Sequence, residues 1–182
     1  MPLQEIDRRR GFTFLESGPV VLVSTSDRGR YNVMTISWHM VMDFTPHIAM
    51  ATGPWNHSFR TMMKTKQCVI NVPTVELLET VVRIGIVSGT EVDKFARFHL
   101  TALPARDVQA PLIAECLAAL ECTVIDYVEK HGLVILEATR VWYNPWKKEK
   151  RVCHAIGNGR FSVDGATIDY RSLMEEKLPD GV

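Results

Sequence analysis

The sequence lacks the motifs of several common functional classes. Its 182 residues contain four widely spaced cysteines and no CxxC pair, and its six histidines show neither HxH nor HExxH spacing. We therefore expect no metal site and no dithiol redox motif. No GxSxG elbow, Walker loop or GxGxxG pattern occurs, which argues against a serine hydrolase, a P-loop NTPase and a Rossmann dinucleotide-binding domain.

An excess of charge of one sign and long apolar runs are also missing. Lysine plus arginine and aspartate plus glutamate number 21 each, so no net charge attracts nucleic acid or an anionic membrane. No segment reaches the ~18 uninterrupted apolar residues of a membrane helix. The arginines at 8–10 are not followed by the apolar run of an export signal. We expect a cytoplasmic protein that contacts neither nucleic acid nor membrane.

The sequence does have the length and the 46% hydrophobic content to build one sizeable core. No repeat or linker divides it, so we expect one domain over residues 1–182. Strand patterns cover residues 20–24, 31–38, 47–52, 67–72, 117–128 and 132–142. Short helices are predicted at 59–65, 75–83, 92–95 and 172–178. Because the strands do not alternate with long helices, a mainly antiparallel β-barrel is favoured over a doubly wound parallel sheet.

The segment 56–61 has the composition of an anion-binding helix start. A helix N-terminus offers free backbone N–H groups, and here Ser58 and Thr61 add hydroxyls while His57 and Arg60 add basic groups. That arrangement can hold a phosphate monoester without a glycine-rich loop. An ordinary capped helix, with Arg60 in solvent, is the alternative interpretation.

A second candidate segment is the strand pattern that precedes this helix. Small polar and aliphatic residues are interspersed there in the order Asn32, Val33, Met34, Thr35, Ile36 and Ser37. Small polar groups repeated along a strand face either a ligand or solvent, and both interpretations stay open. Trp38 and Trp55 are candidates for stacking on a planar ring, although large aromatic residues are more often core or interface.

Three further residues carry chemistry that the sequence alone does not assign. Lys94 either pairs with a phosphate or ring carbonyl, or is a surface lysine beside Asp93. His154 is the best single candidate for a substrate-side proton donor, with a loop histidine as the alternative. Cys153 is either a reactive thiol or a surface or interface cysteine.

Five segments, taken in order, resemble the flavin reductase-like, FMN-binding split-barrel proteins, in particular the flavoredoxin-like branch. They are residues 32–38, 56–59, 68–73, 88–95, and 110–116 with 120–122. The resemblance implies a mainly β fold, a six-stranded antiparallel split β-barrel with peripheral short helices. It also implies a homodimer with FMN near the subunit interface.

The resemblance assigns cofactor-binding residues position by position. Asn32, Val33, Met34, Thr35, Ile36 and Ser37 would line the isoalloxazine ring, and Thr52 and Gly53 would border it. His57, Ser58 and Thr61 would lie at the ribityl-phosphate end, Asn71 would line the pocket, and Lys94 would reach the flavin or its phosphate. His154 matches a histidine near the substrate side and is the catalytic candidate. The segment 157–161 departs from the family's Gly-Gly-Arg-Tyr-like ending.

The implied function is an FMN-binding oxidoreductase. NADH or NADPH would serve as the transient electron donor, and a free flavin, another small molecule or a redox protein as the acceptor. The alternative is a flavoredoxin-like electron carrier that holds FMN without efficient NAD(P)H turnover. A third interpretation, a split barrel that has lost its flavin, is disfavoured by the intact segments 32–37 and 92–95.

Overall fold

A computed structural model describes residues 3–9, 18–44, 46–174 and 177. Its strands are β1 (Gln4–Ile6), β2 (Val21–Asp27), β3 (Arg30–Ile36), β4 (His39–Val41), β5 (His47–Ala51), β6 (Gln67–Val72), β7 (Ala102–Leu103), β8 (Leu112–Ile113), β9 (Ala118–Val128), β10 (Leu133–Tyr143), β11 (Cys153–Ala155) and β12 (Phe161–Val163). Its α-helices are α1 (His57–Thr65), α2 (Leu78–Gly85), α3 (Lys94–Arg97) and α4 (Arg171–Met174). In these ranges, no helix combines the length and the apolar character needed to cross a bilayer.

Eight strands form one antiparallel sheet in the order β3-β2-β6-β9-β10-β5-β4, with β1 added to β10. One edge of β10 is shared, because its residues 133–137 pair with β5 and its residues 141–143 pair with β1. Register shifts along β9 and β10 bend both strands. The sheet therefore curls into a split barrel, which confirms the predicted fold.

The six predicted strands correspond to the six long strands of this sheet. The prediction missed β1 and β4 of this sheet, which have three residues each, and the short strands of the two separate pairs β7–β8 and β11–β12. Three residues are too few to show an alternating pattern. The β2–β3 hairpin turns through Arg28 and Gly29, whose φ angles of 51° and 79° fit the turns that match strand twist.

The two faces of β2 and β3 pack in different cores, as the two-residue period of a strand requires. Val21 and Ile36 point into the barrel interior, where Met62 of α1 also packs. Leu22 and Val33 point outward, against a cluster supplied by α2 and α3. The strand β3 is therefore covered on opposite sides by α1 and by the α2–α3 region, and this arrangement places those helices around its free edge.

The predicted helices are found with shifted ends. The helix predicted at 59–65 begins two residues earlier as α1, and the one predicted at 75–83 is a short 3-10 turn followed by α2. The C-terminal helix is described as α4, and most of the predicted range beyond it lies outside the described residues.

A fully buried carboxylate organises a separate part of the outer face of the sheet, at β9. Glu121 of β9 accepts hydrogen bonds from the backbone N–H groups of Arg106, Asp107 and Val108, at 2.9, 2.6 and 3.2 Å. It also accepts one from Trp142 Nε1 at 2.7 Å. Four donors satisfy this buried charge, and they hold the irregular segment 105–110 against the sheet.

Candidate functional site

A cleft of ≈ 270 Å³ lies where β3, α1 and the segment after α2 meet. The strand supplies Asn32, Met34 and Thr35, and the start of α1 supplies residues 55–58. The third wall consists of residues 84–89 and Lys94. Six of the predicted site residues thus share one cavity: Asn32, Met34, Thr35, His57, Ser58 and Lys94.

The first turn of α1 opens into this cleft without a side-chain cap. Asn56 has the extended backbone of an N-cap residue, with φ −94° and ψ 132°, but its side chain forms no capping hydrogen bond. Its Nδ2 instead donates to Thr52 Oγ1 at 3.1 Å. The first turn also contains no acidic residue. Its backbone N–H groups and its positive dipole end are therefore available to an anion.

A short hydrogen bond ties the strand to this helix start. Asn32 Nδ2 donates to Ser58 Oγ at 2.7 Å, and both residues are buried. The third wall of the cleft packs closely against Asn32: a Cβ atom added at Gly89 would lie 2.1 Å from Asn32 Oδ1. A side chain at position 89 would therefore require the Asn32 amide to move, and with it the hydrogen bond to Ser58.

The charge in the cleft is that of Lys94. Its side chain is only 5% exposed, and Nζ donates to the carbonyl oxygen of Ile84 at 3.0 Å. None of the ion pairs found in the described part of the chain includes it. Burial lowers the pKa of Lys94 to about 8. A buried cation without a carboxylate partner is costly, so the cleft is suited to a negatively charged ligand.

The remaining residues of the β3 segment lie behind the cleft. Val33 and Ile36 are buried in the two cores on either side of the sheet, and Ser37 follows the strand. Val33 and Ile36 could offer a ligand only their backbone, at the edge of β3 that pairs with no other described strand, whereas Ser37 is half-buried. Thr35 lines the cleft, and its Oγ1 donates to Val81 O at 2.6 Å.

The segment after β5 supports the cleft from behind. Thr52 is buried and accepts the hydrogen bond from Asn56. Gly53 lies under the ring of Trp55, which is 74% exposed and lines the cleft. Thr61 lies one turn further along α1 and does not line the cavity. Trp38 is 75% exposed and outside the cavity.

Asn71 does not line the cleft, contrary to expectation. It is fully buried; its Nδ2 donates to Leu22 O and Ser24 Oγ, at 3.2 and 3.1 Å, and its Oδ1 accepts from Ile113 N at 2.8 Å. Its amide is thus engaged in joining β6 to β2 and β8. Asn71 can therefore be buried although it is polar, because backbone groups and Ser24 satisfy the hydrogen-bonding capacity of its amide.

His154 also lies outside this cleft. It belongs to β11, and its Nε2 is 2.8 Å from Asp164 Oδ1 beyond β12. The neighbouring Cys153 is 5% exposed, and burial raises the pKa of its thiol, which disfavours the reactive thiolate. The catalytic role of His154 stays a prediction.

One wall of the cleft, residues 84–89, was only partly predicted from the sequence. Residues 84–87 come from the end of α2, and their role depends on how that helix packs against β3. Asn56 also lines the cleft and was not among the predicted cofactor-binding residues. The sequence does carry one signal for this wall. Gly85 and Gly89 lie close together just before Lys94, and such glycines indicate a loop whose backbone approaches another segment closely.

The curled sheet and the cleft at its free edge together define a split-barrel protein with a cleft suited to an anion. Residues 15–160 match the family model described as the flavin reductase like domain. The chain belongs to this family, as the resemblance predicted.

The similarity extends over most of the chain. An uncharacterized protein of Archaeoglobus fulgidus is 34% identical in an alignment 148 residues long that covers 74% of this chain and 82% of the relative. The FMN-binding domain of a flavin reductases-like enzyme from Shewanella baltica superposes with a TM-score of 0.84 at 24% identity, covering 92% and 96% of the two chains. The flavoredoxin of Desulfovibrio vulgaris superposes with a TM-score of 0.76 at 25% identity, covering 84% and 89%.

Proposed function

We propose that the chain binds FMN in this cleft and acts as an oxidoreductase that reduces a flavin, a small molecule or a redox protein with electrons from NADH or NADPH. The observation that carries the proposal is Lys94, a buried cation without a carboxylate partner, in the same cleft as the uncapped start of α1. Membership in the flavin reductase like family supplies the cofactor class.

The residues present fit a phosphorylated flavin. The backbone N–H groups at the start of α1, with Ser58 Oγ, suit a phosphate dianion. Met34 and Thr35 offer a mixed apolar and polar wall to a planar ring. Lys94 keeps its proton on Nζ at neutral pH, and its charge stabilises negative charge that develops on a ligand. When bound, FMN supplies hydride acceptance and electron transfer, while the protein orients and screens it.

We further propose that two copies of the chain complete the site. The cleft of ≈ 270 Å³ is smaller than the roughly 300–1,000 Å³ of usual ligand pockets. Trp38, Met40 and Met42, at and beside the edge strand β4, are 75%, 60% and 47% exposed, as expected of a surface that meets a partner. Light scattering should give twice the chain mass, and Met40→Lys should lower it. A monomeric wild-type protein would contradict the dimer.

An FMN electron carrier is the second candidate function. The similarity to the flavoredoxin of Desulfovibrio vulgaris over 84% of this chain favours it. The two candidates differ in how they use the donor. A reductase oxidises NADH or NADPH steadily when FMN or FAD is added, whereas a carrier retains its flavin and turns over the nucleotide poorly.

The test is the absorption spectrum of the purified protein, followed by NADH or NADPH without oxygen. We expect a bound flavin spectrum that either donor bleaches within seconds. Slow bleaching by both donors, with flavin retained, would favour the carrier. A protein that binds no FMN after reconstitution would contradict both candidates.

A further inference from the structure

A second groove of ≈ 460 Å³ adjoins the cleft at Gly89. One side is the end of the β2–β3 hairpin, residues 29–31, and the other side is residues 89–93 with Phe95. Nothing in the proposed FMN site uses these side chains. The groove is within the usual size range of small-molecule sites.

The groove carries the groups that recognise a nucleotide. The ring of Tyr31 lies 5.8 Å from that of Phe95 at an interplanar angle of 56°, yet 44% of Tyr31 remains exposed. A supported, exposed aromatic ring is a stacking surface for a base. Arg30 is exposed and lies across the hairpin from Asp27, whose carboxylate is ion-paired with Lys64, so the Arg30 guanidinium can contact a phosphate. Glu91 and Asp93 on the other side can accept hydrogen bonds from ribose hydroxyls.

The order of residues along β3 relates the groove to the cleft. Thr35, Met34 and Asn32 line the cleft, and the next residues toward the hairpin, Tyr31 and Arg30, line the groove. Because Ser58 is hydrogen bonded to Asn32, the start of α1 lies at the end of the cleft that meets the groove. A phosphate held at α1 would therefore lie next to the groove, and a second phosphate attached to it would enter the groove.

We propose that this groove binds the adenosine monophosphate half of a dinucleotide, with Tyr31 stacking on adenine and Arg30 contacting phosphate. The proposal rests on the proposed flavin function. Two dinucleotides share this chemistry. FAD would place its AMP half there with its flavin in the cleft, and NADH or NADPH would do so as the incoming donor.

AMP itself is the probe. We expect calorimetry to detect AMP binding to the FMN-loaded protein, with equal affinity in Tyr31→Phe and at least about fivefold weaker affinity in Tyr31→Ala. Arg30→Ala should also weaken AMP. The FMN dissociation constant, measured by flavin fluorescence, should stay unchanged in all three variants. No AMP binding, or equal AMP affinity in Tyr31→Ala and wild type, would overturn the proposal.

Two further measurements assign the source of the AMP half. If it belongs to FAD, wild type binds FAD more tightly than FMN and Tyr31→Ala removes the difference. If it belongs to the donor, Tyr31→Ala raises the KM for NADH or NADPH but not for reduced nicotinamide mononucleotide. Either result supports the proposal. A Tyr31→Ala variant that changes neither the FAD preference nor the KM for the donor overturns it.

Failure of the protein to bind FMN would instead contradict the proposed function, since AMP binding can still be measured on the flavin-free protein.

Discussion

Two buried charges, at separate places on the outer face of the sheet, are treated in opposite ways. Glu121 is fully buried and receives four N–H donors, three from the backbone of residues 106–108 and one from Trp142. Lys94 is 5% exposed and donates to a single carbonyl oxygen. The chain itself compensates the desolvation of the carboxylate, whereas the ammonium is left for a ligand to compensate. Burial alone would not have distinguished the structural charge from the functional one.

The largest expected effect is on stability and concerns Glu121, the carboxylate whose charge the chain itself compensates. Glu121→Leu should lower the free energy of unfolding by roughly 4 kcal/mol or more, because four buried N–H donors lose their acceptor at about 1–3 kcal/mol each. Urea unfolding of the flavin-free protein measures this. Glu115→Leu is the control, since that half-exposed carboxylate accepts the N–H of Thr101. Equal costs for the two variants would remove the distinction between Glu121 and an ordinary carboxylate.

Lys94→Met should have the opposite effect on stability. The pKa of Lys94 is lowered from 10.5 to about 8, so its charge destabilises the folded, flavin-free protein at pH 7. Removing the charge should raise the free energy of unfolding by up to about 3 kcal/mol. The same change should weaken FMN binding more than about tenfold, through loss of a charge-assisted contact.

Denaturation and flavin titration of the same preparation check both halves of this prediction. The exposed Lys148→Met is the matched control and should leave both quantities unchanged. A Lys94→Met protein that is less stable and binds FMN normally would make Lys94 a structural residue like Glu121.

A smaller effect on FMN affinity should distinguish the two hydroxyl residues of α1, Ser58 and Thr61. Ser58→Ala should weaken FMN binding by roughly 1.5–3 kcal/mol, the value of a charge-assisted hydrogen bond. Thr61→Ala should change it by less than about twofold, because Thr61 lies outside the cleft. Fluorescence titration of the two variants compares them directly. Equal losses would mean that the phosphate lies further along the helix.

The smallest effect is a pH dependence of affinity. Lys94 of the flavin-free protein loses its proton above pH 8, so the FMN dissociation constant should rise about tenfold between pH 7 and pH 9. Over the same range the flavin-free protein should become more stable, since deprotonation removes the buried charge and the unfolded state binds more protons up to pH 10.5. Lys94→Met should show neither trend. A wild-type affinity that is constant to pH 9 would argue against contact between Lys94 and the ligand.

The parts of the fold that could be predicted are those with a long local pattern. The six long strands show runs of β-branched and apolar residues, and residues 57–65 follow a helix-start signal. The three-residue strands β1 and β4 are too short to show such a pattern, and β1 also depends on a distant partner, Tyr143 of β10.

The residues of the candidate site could also be predicted only where a local sequence pattern marks them. Asn32 and Ser58 were recognisable as small polar residues beside candidate elements. Whether a polar strand residue faces a cleft or the core is decided by partners far along the chain. Ile113, 42 residues from Asn71, makes that asparagine structural. The burial of Lys94 likewise arises from the packing of α2 and α3 on β3, which no local pattern records.

The Glu121 carboxylate has a consequence for amide hydrogen exchange. The N–H groups of Arg106, Asp107 and Val108 belong to a segment outside the regular strands, and such amides usually exchange quickly. Here each donates to the buried Glu121 carboxylate, and lifting the segment off the sheet would leave that carboxylate without three of its donors. These three amides should therefore exchange much more slowly than other amides outside the regular strands.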